Sequence, residues 1–483
     1  MTMTSDSAQF AISVVVPSHD RVQSVLRLLG SLNTQRRVVS NVADSQFEVI
    51  VVADGCSDGT VTVLQETIAA AQWSFPLVII AHATALGSGV ARNAGAAVAR
   101  GTTLLFIDDD IEPFHGMVAE HASRHAAARE SGHELVLVGA PVPVRPLDAN
   151  FEEIAAWGWW EQQFERMSQP GHRFTHDEIF TGVLSLSAAT FRAIGGFDVS
   201  LTHCHEDSEL GLRLFRLGVR AGFTRTGGGM HHDVRGIARL LPRKEAEGRA
   251  DVLLLQRWPE LVRVSPLAGA RDRVPLSIQL LLDGAFSDAA GLWKRFTNAA
   301  LTSLPLLEKL KWRKTWRAVQ GAVLFHSYWR GAAAQVGSRA ALRALLQASE
   351  SAADAWTAEC RHLVLDLADG IEVAERVLDQ FRPDALSVAI GSLHVGSIVT
   401  PVNAERLHGG HLRRILATHI ASELRVALWT CDVYAAEVVA MPTAGPRRGP
   451  SIGVAAITKP THDDSERNDN HATVAVMQHG HHG

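Results

Sequence analysis

Short apolar runs and helical stripes alternate along the first quarter of the chain. Residues 12–16 (ISVVV) form a β-branched apolar run ending at Pro17, the pattern of a strand buried on both faces. Residues 20–33 then space Val22, Val25, Leu26 and Leu29 on one face of a helix. A second buried strand, 47–52 (FEVIVV), runs into ADGCSDGT, and a helix follows from about 61 to 71. A third strand occupies 77–81 (LVIIA) and a small-residue helix 87–100. A fourth strand, 103–107 (TLLFI), ends in three consecutive aspartates. Four strand–helix alternations with short links predict an α/β fold on an open, mostly parallel sheet.

Beyond this, 151–164 (FEEIAAWGWWEQQF) reads as an aromatic-rich helix and 206–217 (EDSELGLRLFRL) as an amphipathic one. The α/β character fades near Val262, 276–347 is helical, and 361–420 is mixed again. This divides the chain into 10–262, a helical basic region 263–350, a mixed α/β region 351–462 and a polar, His/Gly-ended tail 463–483 that is expected to be disordered. The stretch Ser451–Thr458 echoes the first strand, and chance similarity of two apolar strands is the simpler account.

Composition narrows the picture. Hydrophobic residues make up 46% of the 483, enough for a large core, and a net charge of −5 argues against a general nucleic-acid binder. The four cysteines are far apart, without zinc-type spacing, which fits a reducing compartment. No basic-plus-apolar leader and no apolar run of 18 residues is present, so a cytoplasmic protein is expected.

Open parallel sheets bind ligands at the carboxyl ends of their strands. Here those ends hold Ser18-His19-Asp20, then Asp54 to Asp58, then Asp108-Asp109-Asp110. Three adjacent carboxylates repel unless water or a divalent cation offsets them. Asp108 and Asp110 point the same way on an extended chain and suit one hard cation; a solvated acidic turn is the alternative. Glu206-Asp207 opens a helix after a Gly195-Gly196-Phe197-Asp198 turn. Acids there cap the dipole, or one serves as general base. His231 and His232, after three glycines, offer neutral nitrogen to a metal, although 23 histidines make chance pairs common. Gly87-Ser88-Gly89 lacks dinucleotide-fingerprint spacing and reads as a helix start near phosphate, with Arg92 adding charge.

Taken together and in order, SVVVPSHDR, VVADGCSDGT, ARNAGAAVARG, LLFIDDD, IGGFDVSLTHCHEDSELGLRLFRLG and MHHD make the first 262 residues resemble a family 2 glycosyltransferase of the GT-A fold. The resemblance implies an inverting enzyme that moves a sugar from a nucleoside-diphosphate sugar, UDP-linked in most of the family, to a glycan or lipid-linked acceptor. It puts Pro17, Asp20, Asp54, Arg92, Asp108 and Asp109 around the donor and Asp54 against the base. Asp108 and Asp110 would hold Mn²⁺ or Mg²⁺ on the diphosphate, with His231 or His232 completing the metal shell. Asp207 would be the base, with Glu206 beside it. The chain departs from the family at Ala53-Asp54-Gly55, where a second acid is usual. That bears on base specificity more than on catalysis.

Trp157, Trp159 and Trp160, with Glu209, are candidates for the acceptor cleft; core packing is the alternative for the tryptophans. Residues 289–345 hold ten Lys or Arg against one acid, Glu308, with four interleaved tryptophans. Such helices suit the anionic inner face of a membrane, or else present an ordinary solvated surface. Two rivals to sugar transfer are a catalytically silent nucleotide-sugar-binding module and a sugar nucleotidyltransferase. The first would have lost an acid, and the second would carry a glycine-rich basic loop where Pro17-Ser18-His19-Asp20-Arg21 stands.

Overall fold

The computed structural model describes residues 10–35, 47–144, 148–201, 204–232, 237–270, 275–287 and 290–439. The 463–483 tail, the 451–458 echo and Asp233 lie outside them. Eight strands form the main sheet: β1 (Phe10–Ser18), β2 (Phe47–Asp54), β3 (Leu77–His82), β4 (Gly101–Ile107), β5 (Ile111–Pro113), β6 (Leu135–Pro143), β7 (Val183–Ser187) and β8 (Arg220–His231). Their order is β3-β2-β1-β4-β7-β6-β8-β5. β3, β2, β1 and β4 are mutually parallel, β6 and β8 are parallel to each other, and β7 and β5 run antiparallel to their neighbours.

The apolar run in β1 lacks a period because both faces are covered. Val14 and Val16 pack with Val25, Leu28 and Leu29 of the Val22–Gln35 helix. Val15 packs with Ala91 and Ala96 of the Ser88–Val98 helix on the other face. That helix is built of small residues because it lies close to the sheet: a Cβ on Gly95 would come within 2.4 Å of Val15. The antiparallel β7 wedges between β4 and β6 and was not legible in the apolar pattern. Its VLSLS alternation places Ser185 in the interior against His121 and His125.

The α/β unit ends earlier than residue 262. After β8 the chain enters a helical layer of Ile237–Arg257, Leu276–Ala285, Ala290–Lys309, Arg313–Val336 and Arg339–Glu359. The first and fourth of these helices cross so tightly that Cβ atoms on Gly248 and Gly331 would strike the Tyr328 and Glu245 carbonyls. Their core includes Val252, Leu255, Trp329, Leu342 and Leu346, and takes in Leu212 from the Glu206–Leu217 helix. The helical layer therefore backs the helix that presents Glu206 and Asp207. It also runs through residue 350, the expected boundary, because the last helix continues to Glu359.

The third unit is a three-stranded sheet, β11-β10-β9 (β9 His362–Asp366, β10 Ala385–Ile390, β11 Leu393–Val399). The Ile371–Phe381, Gly409–Thr418 and Ala421–Val439 helices accompany it, and Leu365, Leu378, Leu386, Leu412 and Ile415 form its own core.

Candidate active site

Arg92 joins three of the motifs. The residue is 3% exposed, and its guanidinium donates to Glu206 Oε1 at 3.0 Å and to Asp108 Oδ1 at 2.7 Å, beside the Phe197 ring. Ser88 Oγ donates to the same Glu206 oxygen at 2.8 Å. Burial raises the Glu206 carboxyl, but Arg92 and Ser88 outweigh it and keep the group ionised below the ordinary glutamate range. The helix starting at Ser88, the end of β4 and the Glu206–Leu217 helix are thus tied at one point, although Asp108 lies 98 residues before Glu206.

β4 ends at Ile107, so the extended chain that would align Asp108 with Asp110 gives way to a turn, in which Ile111 N donates to the Asp108 carbonyl at 3.1 Å and the three acids take different partners. Asp109 turns inward to Ser18 Oγ at 2.6 Å and Arg21 Nη1 at 3.1 Å, a bridge from β4 to β1. Asp110 accepts from Arg21 Nη1 at 2.7 Å through Oδ2. Its Oδ1 is buried, has no hydrogen-bond partner, and lies 3.4 Å from His231 Nε2. Burial raises Asp110, but His231 and Arg21 hold it down at about 2. His232, next in sequence, faces the other way and pairs with Glu112 at 2.8 Å. The structure therefore brings His231, not His232, to the acidic cluster. A buried carboxylate oxygen left open toward an imidazole nitrogen at that spacing is a two-atom donor pair of the kind a divalent cation takes, while the Asp108 carboxylate is turned to Arg92 and does not close a three-residue cluster with them.

Asp207 is half-buried, and among the described residues its Oδ1 accepts the Ser208 N–H that follows it and no other. Burial and the neighbouring Glu206 charge push it up to about 6, with His205 and Arg92 opposing. His205 caps this helix in the left-handed conformation, φ 65°. Its Nε2 lies 3.2 Å from Asp251, which also accepts from the Tyr328 hydroxyl at 2.5 Å. Burial works against the charged imidazole, but Asp251 raises His205 to about 9, so it is a cation at neutral pH. A carboxyl poised near 6, short of hydrogen bonds and beside a fixed cation, has the character of a general base.

At the end of β2, Asp54 accepts from Leu86 N at 3.0 Å, Gly87 N at 2.8 Å and His82 Nδ1 at 2.7 Å. Burial is outweighed by these bonds, and the group sits below the ordinary aspartate range. The helix start at Gly87, expected near phosphate, is thus turned toward Asp54. Asp20, at φ 51°, accepts from the backbone of Ser57 and Asp58, and Asp58 accepts in return from Val22 N. These bonds lock the β1 and β2 loops together. Pro17 lies within β1, in register with Val52.

Other candidates lie elsewhere. Trp160 is 2% exposed in the main core among Phe164 and Phe180, which corrects its reading as an acceptor residue; Trp159 packs edge-on against it, and Trp157 is half-buried. Glu209 is fully buried and held by Arg213, four residues on, so it is a structural ion pair and does not join the cluster. From the sequence Asp251 and Tyr328 carry no role, and Arg21 and Ser88 stand only within the motifs around them, with no role of their own. Arg21 was findable, because it follows the β1 polar cluster directly.

A second cluster, Glu405, His408 and His411, has the composition of a metal site. Its hydrogen bonds argue otherwise. Both ring Nδ1 atoms accept backbone N–H groups, from Gly410 and His408, which leaves Nε2 of each ring to face Glu405, at 3.9 Å for His408 and 3.2 Å for His411. Glu405 accepts the N–H groups of Phe174 and Ala221, at 3.1 and 3.0 Å. It clasps the third unit onto the sheet unit, beside the Asn403 carbonyl that takes His176 N at 2.8 Å.

Residues 13–151 match the model of Glycosyl transferase family 2. Over that segment the chain is similar to the family 2 glycosyltransferases. Among relatives, a Haemophilus influenzae protein named an uncharacterized glycosyltransferase is 40% identical over 99 residues, 20% of this chain and 29% of that protein. The Bacillus subtilis protein YfnE, also named an uncharacterized glycosyltransferase, is 32% identical over 127 residues, 26% and 29% of the two chains. The Myxococcus xanthus O-antigen biosynthesis protein RfbC is 27% identical over 233 residues, 46% of this chain and 17% of that one. The chain thus spans under a third of the first two relatives' length. The solved Staphylococcus aureus TarS 1–349 is 17% identical, with a TM-score of 0.36, over 65% of this chain and 91% of that one.

Proposed function

We propose that this chain transfers a sugar from a nucleoside-diphosphate sugar, UDP-linked by the family's habit, to a hydroxyl of a glycan or lipid-linked acceptor, with inversion. The observation that carries the reading is the convergence at one sheet edge of Asp108, the Asp110–His231 pair, Arg92–Glu206 and Asp207. The family model ends at 151, so for Glu206, Asp207 and His231 the geometry is the support. The name of the Myxococcus xanthus relative fits a glycan acceptor.

Asp108, Asp110 and His231 would hold Mn²⁺ or Mg²⁺, whose chemistry is to offset charge on the donor diphosphate. Asp207 takes the proton of the acceptor hydroxyl as its oxygen bonds to the anomeric carbon. The bond to the diphosphate breaks, and the nucleoside diphosphate leaves with the electron pair. Arg92 holds Glu206 ionised next to Asp207, which keeps the base's affinity for a proton high. A single displacement with inversion is the course the family resemblance supports.

A screen of UDP-, GDP- and dTDP-sugars with Mn²⁺ and with EDTA tests this, reading released nucleoside diphosphate. Metal-dependent release from one donor is expected. Pyrophosphate release would point to a nucleotidyltransferase, and neither binding nor release to a silent module.

A further inference from the structure

The Ala290–Lys309 and Arg313–Val336 helices meet in a tight hairpin whose tip is chemically unlike the rest of the surface. Leu304, Leu307 and Trp316 form a small core inside it, packed on Phe151. The tip is therefore preformed and fixed to the rest of the molecule. Outside, Leu306 is 58% exposed, Leu310 47% and Trp312 57%. Around them stand Lys309, Lys311, Arg313, Lys314 and Arg317, all exposed. The one acid, Glu308, points inward and accepts Phe151 N at 2.7 Å. Among the described residues Lys309, Lys311, Lys314 and Arg317 make no ion pair, while Arg313 lies over the Phe151 ring.

We propose that this hairpin tip docks on an anionic lipid bilayer, with Leu306, Leu310 and Trp312 entering the interface and the ring of cations meeting the headgroups. Charge decides the occupant. A two-fold contact with a second copy would set five like charges against themselves, whereas a negative lipid surface attracts each of them. An exposed Trp between leucines and lysines is the side-chain set that settles at a headgroup boundary. Among the described residues no helix is long and apolar enough to cross a membrane, so the contact is peripheral.

The tip also lies within reach of the candidate site. Pro143, at the end of β6, is in register with His231. Phe151, on which the tip packs, is only eight residues further along the chain, so it lies within about 28 Å of that strand end. Val144 and Ile154 on this route are exposed as well. The inference does not depend on glycosyl transfer, because it is read out by binding alone.

The experiment is cosedimentation of the full chain with phosphatidylcholine vesicles, with and without phosphatidylglycerol, at low and high salt. Partitioning at least about tenfold stronger onto the anionic vesicles is expected, weakening with salt. Reversing three charges (Lys309→Glu, Lys311→Glu, Lys314→Glu) should lower it on the order of a hundredfold. Leu310→Ser with Trp312→Ser should lower it too, and a Ser at position 312, the helix N-cap, keeps the helix start favourable. Unchanged far-ultraviolet circular dichroism and donor hydrolysis would show both variants folded. No binding to anionic vesicles at low salt, or binding that survives both variants, overturns the proposal. So does self-association of the wild type that Trp312→Ser abolishes, since the face would then belong to a second copy.

Discussion

Replacing Arg92 with Met keeps most of the side-chain volume and removes the cation that Asp108 and Glu206 share. The two acids are not equal. The Asp108 side chain is 37% exposed and can turn to water, whereas that of Glu206 is 10% exposed and cannot. The cost therefore falls on Glu206, left with Ser88 Oγ as its remaining side-chain donor. Breaking a buried pair this way costs roughly 3–5 kcal/mol, or a drop of roughly 6–20 °C in the melting temperature of a domain this size. The penalty also depends on pH. In the wild type Glu206 lies below its unfolded value, so its contribution is present above that value and fades as pH falls through the folded one. Without Arg92, burial is the largest remaining influence and lifts the folded value above the unfolded one. The folded mutant then binds the extra proton, and its stability falls as pH rises. The deficit should be larger at about pH 7.5 than at about pH 5, as measured by scanning calorimetry of both proteins at each pH. A deficit equal at both, or below about 1 kcal/mol, would refute the account of Arg92 as the counter-charge of a buried carboxylate.

Four further outcomes follow from the same geometry. Asp207→Asn should abolish transfer while nucleotide binding by calorimetry stays within a few-fold, and wild-type kcat/KM should fall as pH drops below about 6, where the base is protonated. His205→Asn, a residue that tolerates the left-handed cap, removes a cation and should move that acid limb to higher pH; a limb that stays or moves down would separate His205 from the base. His231→Ala should weaken Mn²⁺-dependent nucleotide binding tenfold or more while His232→Ala leaves it nearly unchanged, and equal effects would contradict the choice between them. Glu405→Ala strands the Phe174 and Ala221 N–H groups at about 1–3 kcal/mol each, so amide hydrogen exchange should accelerate at those two residues ahead of the sheet core.

How much of this the sequence could tell depends on the range of the interactions. The β1–β4 half of the sheet was legible because each strand is a local apolar run closed by a polar turn, and Glu206–Leu217 because its pattern is local too. β7 was not legible, since its short alternating stretch acquires meaning only between β4 and β6, where Ser185 meets two histidines. The Glu206-Asp207 motif was visible, but Arg92 lies 114 residues from Glu206, and Asp251 and Tyr328, which fix the neighbouring His205, lie 46 and 123 residues from it, and none carries a signal at that distance. The same reason explains the choice between His231 and His232. Two adjacent histidines are equivalent in a string of letters, and only the β5–β8 pairing, with Ile111 opposite His231, decides which ring faces Asp110. Residue type thus announced the chemistry, while strand register and the helical layer behind Asp207 assigned it to particular atoms. The helical layer is accordingly part of the candidate active site: Asp251, which accepts from Tyr328, holds the His205 cation beside Asp207, the proposed base, so substitutions well outside the family-matched segment 13–151 should alter its pH dependence.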